Sequence, residues 1–255
     1  MPAATGIRVA RASGMMRLTG FKALTFDVYG TLIDWETGIT DALAPLASRS
    51  PVKLTRDRIL EAHACHEARL QRLTPAKRYR DLLAVVHRRL AEDWQVAADW
   101  EDCLAYGRSV GDWPAFADSA PALAALKRHF ALIVLSNVDN KSFAASARKL
   151  GVPFDAVFTA EDIGSYKPSA RNFDHMLAEL ARRGIDRGDI LHTAESLFHD
   201  HAPARRAGLA TCRIFRRHGQ PGFGATMEPD EMVDVDVTFN SMAELAAAVE
   251  AESTA

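Results

Sequence analysis

The stretch Lys22–Leu32, which reads KALTFDVYGTL, contains a short apolar run that stops abruptly at a polar turn. Residues 22–28 favour β structure, and residues 29–31 interrupt the run, which predicts a buried strand that ends in a tight loop. Asp27 lies at the C-terminal tip of this strand. A buried carboxylate is costly unless a partner compensates its charge, so Asp27 is a candidate functional residue.

From residue 113 onward, apolar strand-like runs alternate with segments of helical periodicity. Repeated β-α units predict a parallel sheet with right-handed crossovers. We therefore predict an α/β, Rossmann-like core with helices on both faces of its sheet. The pattern predicts further buried strands at Phe130–Leu135, Asp155–Ala160 and Asp189–Ala194, and edge strands at Thr211–Phe215 and Asp236–Phe239.

The segment from 37 to 112 differs from the rest of the chain because it contains no convincing strand. Ile59–Leu73 and Tyr79–Trp94 carry apolar residues at helical spacing, which predicts a helical cap inserted into the core. The predicted organisation is a mobile N-terminal tail over 1–19, a catalytic core over 20–36 and 113–255, and the cap over 37–112.

Composition excludes several classes of function. The chain has 255 residues, of which 48% are hydrophobic, and a formal net charge of -2, so nothing points to nucleic acid or membrane partners. Its three cysteines, Cys65, Cys103 and Cys212, are widely spaced, which disfavours a disulfide framework and favours a cytoplasmic location. The sequence contains no C-x-x-C motif, so none indicates a structural zinc site.

Polar residues follow the successive predicted strands. In parallel sheets, ligands bind at the carboxyl ends of the strands, so these residues should meet Asp27. A lysine ammonium that faces Asp27 would keep it ionised, as a nucleophile requires. Each residue alone also fits a turn, an N-cap or a surface role, but their shared placement favours a site. The candidates are Ser136, Asn137, Lys167, Glu195 and Asp200.

Four ordered motifs carry a resemblance to the haloacid dehalogenase superfamily. They are Phe26–Leu32 (FDVYGTL), Leu135-Ser136-Asn137, Lys167-Pro168 and Glu195-x-x-x-x-Asp200. The resemblance covers about residues 20 to 240, and that superfamily inserts its cap between the first two motifs. It implies that Asp27 is the nucleophile, that Thr31 and Ser136 orient groups by hydrogen bonds, and that Lys167 balances the charge. Asp200 would position Lys167, a water or a metal.

Tyr29 favours one activity within the superfamily. Phosphatases usually carry an aspartate at this position as a general acid, whereas a halide departs without a proton. The sequence DVYGTL resembles the L-2-haloacid dehalogenases, which implies hydrolysis of a small carboxylate substrate without a metal cofactor. The alternative is a Mg²⁺-dependent phosphatase with Asp27, Glu195 and Asp200 as ligands. The third interpretation is a binding module that has lost its chemistry.

The remaining predictions concern substrate binding and assembly. The substrate carboxylate would rest on donors around Ser136 and Asn137. No cap arginine can be assigned to the halide, although Arg58, Arg69 and Arg72 are candidates, and the histidines at 192, 199 and 201 suit hydrogen bonding better than a metal. The resemblance suggests a homodimer. The candidate substrate-binding residues are Tyr29, Asn137, Trp35, Ser196 and Phe173, where Phe173 replaces a tyrosine usual in the dehalogenases.

Overall fold

The computed structural model describes residues 16–229 and 232–254. The predicted tail over 1–19 therefore lies mostly outside the described residues. Its last part is not a loose tail, because Leu18 begins a 3-10 turn, Leu18–Gly20, and is buried in the core. The backbone N–H groups of Leu18 and Thr19 both donate to the Glu252 carboxylate, so this end is held against the C-terminal helix.

The core is a six-stranded parallel sheet with the strand order β3-β2-β1-β4-β5-β6. β1 therefore lies in the middle, next to both β2 and β4. The prediction that the fifth strand is an edge is wrong, because the three-residue β6 pairs with it and covers it. The strands are β1 (Ala23–Phe26), β2 (Ala131–Ser136), β3 (Ala156–Thr159), β4 (Ile190–Ala194), β5 (Ala210–Ile214) and β6 (Val237–Phe239).

Helices cover both faces of this sheet, which confirms the predicted α/β class. Alternate residues of β2 enter two separate apolar clusters: Leu132 and Val134 join one, and Ile133 and Leu135 join the other. The helices of the core are α5 (Ser119–Leu126), α6 (Asn140–Leu150), α7 (Ala160–Ile163), α8 (Ala170–Ala181), α9 (Ala202–Arg206) and α10 (Met242–Ser253). Among the described residues, no helix is long and apolar enough to cross a membrane.

The segment predicted to be a cap is helical, and all of its residues are described. None of residues 37–112 lies in a strand. The division into cap and core domains stays a prediction, but the helices that it groups together are present. They are α1 (Trp35–Ala47), α2 (Arg56–Leu73), α3 (Tyr79–Asp93) and α4 (Trp100–Arg108), followed by a 3-10 turn at Ser109–Asp112.

Gly38 allows α1 to pack closely against Trp113, where the chain re-enters the core. A Cβ atom on Gly38 would lie 2.2 Å from Cγ of the buried Trp113 ring. We expect Gly38→Ala to lower the free energy of unfolding by about 1–3 kcal/mol through overpacking, as measured by urea denaturation. Gly188→Ala is the control, because no atom lies within 4 Å of its added Cβ. Equal stability of the two variants would contradict this close packing.

Candidate active site

Asp27 occupies the tip of β1 and accepts hydrogen bonds on both carboxylate oxygens. Lys167 Nζ donates to Oδ1 over 2.9 Å, and Thr31 Oγ1 donates to Oδ2 over 2.8 Å. The Thr31 hydroxyl itself accepts the backbone N–H of Glu195, so its own proton is directed to Asp27. Burial raises the pKa of Asp27, whereas the Lys167 ammonium and these two hydrogen bonds favour the carboxylate form.

Lys167 is buried, and its ammonium has three acceptors. Besides Asp27, Nζ donates to Asp200 Oδ1 over 2.6 Å and to the backbone oxygen of Leu135 over 3.0 Å. Burial alone would lower the pKa of Lys167, but the two carboxylates reverse this effect and raise it. The ammonium therefore stays charged at neutral pH and links the carboxyl ends of β1 and β2 to the turn after β4.

Asn137 lines the cavity beside Asp27 and also holds the Lys167 loop, a contact that the sequence did not predict. Its Nδ2 donates to the backbone oxygen of Lys167 over 3.0 Å, and its Oδ1 accepts the backbone N–H of Lys167 over 2.7 Å. Because the amide oxygen and one amide N–H are both engaged, the side chain positions the Lys167 loop, while the second N–H of Nδ2 takes no part in these two bonds. Its place after β2, one residue beyond the strand, explains why it can reach this loop.

Asp200 is fixed by a chain of hydrogen bonds that begins inside the sheet. Thr25 Oγ1 bonds to Nδ1 of His192 over 2.9 Å, and Nε2 of His192 bonds to Asp200 Oδ1 over 3.0 Å. Burial opposes ionisation of Asp200, but the Lys167 ammonium and the His192 bond hold its pKa well below the usual range. Oδ2 of Asp200 is buried and has no hydrogen-bond partner among the described residues.

Phe173, predicted to bind substrate, is buried and is not among the residues that line the cavity beside Asp27. Its ring packs edge-on against His192 at a centroid distance of 5.3 Å and belongs to the apolar cluster under the sheet. The side chain lies on α8, which follows the Lys167 loop and covers the opposite face of the sheet from β1's main cluster. Phe173 therefore supports the histidine that holds Asp200.

A model of the haloacid dehalogenase-like hydrolase family matches residues 21–208, which include this entire arrangement. The chain belongs to this family. A search of curated proteins found no significant match. Similar solved structures share the fold at low sequence identity. The activities given below for these structures are those of the neighbours themselves.

Two of these neighbours are L-2-haloacid dehalogenases. A defluorinating L-2-haloacid dehalogenase is 21% identical with a TM-score of 0.73, over 91% of this chain and 98% of its own. The enzyme from Xanthobacter autotrophicus, solved with chloropropionic acid covalently bound, is 17% identical with a TM-score of 0.72, over 90% and 98%. The magnesium-bound structure of YfnB from Bacillus subtilis is 20% identical with a TM-score of 0.68, over 90% and 99%.

Tyr29 of this haloacid dehalogenase-like hydrolase does not direct its hydroxyl to the nucleophile. The hydroxyl bonds to Ser146 Oγ on α6 over 2.8 Å, and the ring packs edge-on against Trp113 at 5.8 Å. Burial raises the pKa of the Tyr29 phenol above its usual range. Tyr29 therefore forms part of the cavity wall, and its hydroxyl is engaged with Ser146, away from Asp27.

Glu195 pairs with Arg213 and not with Lys167. Arg213 Nη2 lies 3.3 Å from Glu195 Oε1, because the parallel register places Ala194 of β4 beside Arg213 of β5. Burial raises the pKa of Glu195 to about 7 even though Arg213 opposes this. Among residues 16–229 and 232–254, no three His, Cys, Asp or Glu side chains are arranged to hold a metal. The alternative ligand set of Asp27, Glu195 and Asp200 thus lacks Glu195.

The turn after β4 is held by its own polar side chains. Ser196 caps a π-helical turn, Leu197–His201, by accepting the backbone N–H of His199 over 3.0 Å. Burial lowers the pKa of His199 to about 4, and Nε2 of His201 donates to the backbone oxygen of Ala194 over 2.9 Å. These histidines are therefore neutral structural groups near the site. Ser136 Oγ is buried and unpartnered among the described residues.

The cavity beside Asp27 has a volume of about 20 Å³ and includes residues that the sequence did not single out. Glu67 of α2 and Tyr79 of α3 contribute to it from the predicted cap. Trp35 lies between this cavity and a second one of about 110 Å³. The lining residues of the Asp27 cavity are Asp27, Tyr29, Trp35, Glu67, Tyr79, Asn137, Val138, Lys167, Ser196, His199 and Asp200.

Gly30 is required at the turn beneath Trp35. Its φ of +97° lies in the region that favours glycine, and an added Cβ would lie 2.9 Å from Nε1 of Trp35. The backbone can therefore pass directly under the indole. This close approach sets the position of Trp35 at the boundary of the two cavities.

Proposed function

We propose that the chain is a hydrolase that displaces halide from a small 2-haloalkanoic acid and releases a 2-hydroxy acid. The observation that carries this proposal is the position of Tyr29. It stands where a phosphatase usually carries the aspartate that protonates the leaving group, and its hydroxyl is bonded to Ser146 on α6, which disfavours proton donation to a leaving group at Asp27. A halide leaves as a stable anion and needs no such proton.

Asp27 would act as the nucleophile in the first step. One of its oxygens attacks the halogen-bearing carbon, a carbon–oxygen bond forms, and the carbon–halogen bond breaks with its electron pair leaving on the halide. Lys167 and Thr31 hold the two oxygens in fixed directions, which supports in-line attack and keeps the group ionised.

Water would complete the cycle by attacking the carbonyl carbon of the aspartyl ester. Asp200 Oδ2 is the buried acceptor without a partner among the described residues, and Asp200 lines the same cavity as Asp27. We assign it to the attacking water, whose proton is lost as the ester opens. The products are the 2-hydroxy acid, a proton and the regenerated Asp27 carboxylate.

The alternative is a Mg²⁺-dependent phosphatase, an activity for which the magnesium-bound YfnB neighbour gives a reason to test. The residues present fit that metal poorly. The Lys167 ammonium lies between Asp27 and Asp200, and Glu195 pairs with Arg213. A cation bound by Asp27 and Asp200 would have to share both carboxylates with the ammonium that already bonds to one oxygen of each.

Halide release and phosphate release distinguish these two functions. We expect the protein to release chloride from 2-chloropropionate, supplied as each enantiomer, at a rate that EDTA does not change. We expect p-nitrophenyl phosphate to remain intact with and without Mg²⁺. Asp174→Asn, which changes an exposed aspartate on α8, is the matched control and should keep full activity. Phosphate release that requires Mg²⁺, without chloride release, would replace this proposal by the alternative.

A further inference from the structure

Glu67 places a buried carboxyl group in the cavity of the nucleophile. It lies on α2, is 3% exposed, and accepts a hydrogen bond from Gln71 Nε2 over 3.1 Å. The Tyr79 hydroxyl also hydrogen-bonds to it. Both neighbours thus act as donors toward Glu67, which is the arrangement that suits an ionised carboxylate.

No cation from the cap balances Glu67 in the described structure. The three candidate arginines of α2, namely Arg58, Arg69 and Arg72, are exposed, and none lines the cavity. The nearest basic side chain is His63, with Nδ1 at 3.8 Å from Glu67, and burial lowers the pKa of His63 to about 3. His63 is therefore neutral at physiological pH.

The charge of the cavity is negative as a result. The two ionised aspartates, Asp27 and Asp200, exceed the single ammonium of Lys167 by one negative charge, and Glu67 adds a second when it ionises. At the end of the cavity formed by α2, an ionised Glu67 disfavours an anionic group of a ligand and favours a cationic one. Tyr79, Tyr29 and Trp35 add aromatic rings to the same wall, and aromatic faces also attract ammonium groups.

We propose that Glu67 is a specificity-determining residue that binds a positively charged group of the substrate, such as a protonated amine. This inference rests on the proposed function in one respect, since it assumes that substrate binds in the Asp27 cavity. It deepens that function by assigning the substrate to small molecules with an ammonium group at the end next to the cap. A simple haloalkanoate, which has only a carboxylate, is a poorer ligand.

The attraction of a cationic group by Glu67 has a defined pH dependence. Burial raises the pKa of Glu67 to about 7, so the carboxyl ionises, and attracts cations more strongly, as pH rises through that value. His63 and His199, whose pKa values burial lowers to about 3 and about 4, do not change charge there, and neither do the tyrosines and Lys167, whose pKa values are raised. Burial also raises the pKa of Asp27, and its ionisation changes the charge of the cavity in the same direction as that of Glu67. The groups that face Glu67 or share its cavity are His63, Tyr79, Tyr106, Tyr166, Asp27, Lys167, His199 and Asp200.

Three probes of similar size test the inference by calorimetry without turnover: propylammonium, propionate and propan-1-ol. We expect the protein to bind propylammonium at least about tenfold more tightly than propionate, with a ratio that increases between about pH 6 and about pH 8. Glu67→Gln should remove this preference and its pH dependence while binding of propan-1-ol is retained. Glu61→Gln, which changes an exposed carboxyl on the same helix, should behave as the unmodified protein.

The outcomes separate this inference from the proposed function. Equal or tighter binding of propionate, no binding of propylammonium, or a preference that survives Glu67→Gln overturns the role of Glu67. Cation preference that depends on Glu67, in a protein that releases no chloride from any 2-haloacid tested, supports Glu67 and overturns dehalogenation. If both the cation preference and chloride release are observed, Glu67→Gln should also lower KM for 2-chloropropionate, because it removes the repulsion between Glu67 and the substrate carboxylate.

Discussion

Replacing Asp27 by asparagine is expected to reduce hydrolysis by at least about three orders of magnitude while leaving the fold intact. The amide is isosteric, but it is a poor nucleophile and cannot accept equally on both sides. In the unmodified protein, Lys167 Nζ and Thr31 Oγ1 each donate to one oxygen of the Asp27 carboxylate. One of these two hydrogen bonds would be lost in the variant. Chloride release measures the loss, and circular dichroism checks the fold.

Isotope labelling shows whether Asp27 forms an ester. In a single turnover with excess enzyme in heavy-oxygen water, water attacks the aspartyl carbonyl, so the label should remain in Asp27 and the product should contain none. Label in the 2-hydroxy acid would mean that water attacks the substrate carbon directly. That result would remove Asp27 as the nucleophile even if Asp27→Asn were inactive.

Lys167→Met should abolish activity and lower stability by about 3–5 kcal/mol at neutral pH, because it leaves two buried carboxylates without their cation. Lys167 is 1% exposed and has Asp27 at 2.9 Å and Asp200 at 2.6 Å. Urea denaturation measures the change in the free energy of unfolding. Lys141→Met, which changes an exposed lysine of α6, is the control and should have little effect.

The pH dependence of this variant distinguishes charge from packing. In the unmodified protein the pKa of Asp200 is depressed, so its stabilising contribution is present above the pKa of the unfolded chain and is lost only in strong acid. In Lys167→Met both carboxyls should have raised pKa values, so the variant should be more stable at about pH 5 than at about pH 8. A destabilisation that does not vary with pH would indicate lost packing alone.

The sequence predicted the central part of the site because topology determines it. The strands are parallel, so the segments that follow β1, β3 and β4 leave the sheet at one edge, and Asp27, Lys167 and Asp200 of these segments meet there as expected. Thr31 follows in the same loop and bonds to Asp27. These predictions needed only the position of each residue along its strand.

Predictions that depended on the direction of a side chain were less successful. Phe173 and Asn137 are near the site in sequence, but one supports His192 from below and the other holds the Lys167 backbone. Glu195 pairs with Arg213 because of the register between β4 and β5, which the motif does not contain. From the sequence, His192 was predicted only to be one of three histidines suited to hydrogen bonding. Its place inside the apolar strand β4 was a signal that it makes a buried hydrogen bond.

The contribution of Glu67 could not be found from sequence for a related reason. Helical periodicity shows which face of α2 is apolar, and Glu67 lies on the buried side together with His63 and Gln71. Helical periodicity does not show what the buried face of α2 contacts, because these contacts depend on how α2 and α3 pack against the edge of the sheet. A polar group on an otherwise buried helix face was the available signal.

The size of the cavity beside Asp27 has a consequence for the timing of recognition. Its volume of about 20 Å³ is enough for about one water molecule. Under the proposed function, a substrate with several heavy atoms needs more room than this, so we expect the catalytic cycle to include an opening of the cavity wall to which Glu67 and Tyr79 contribute. Discrimination between substrates would then be exercised during reclosure, as an induced fit, and not at the first encounter.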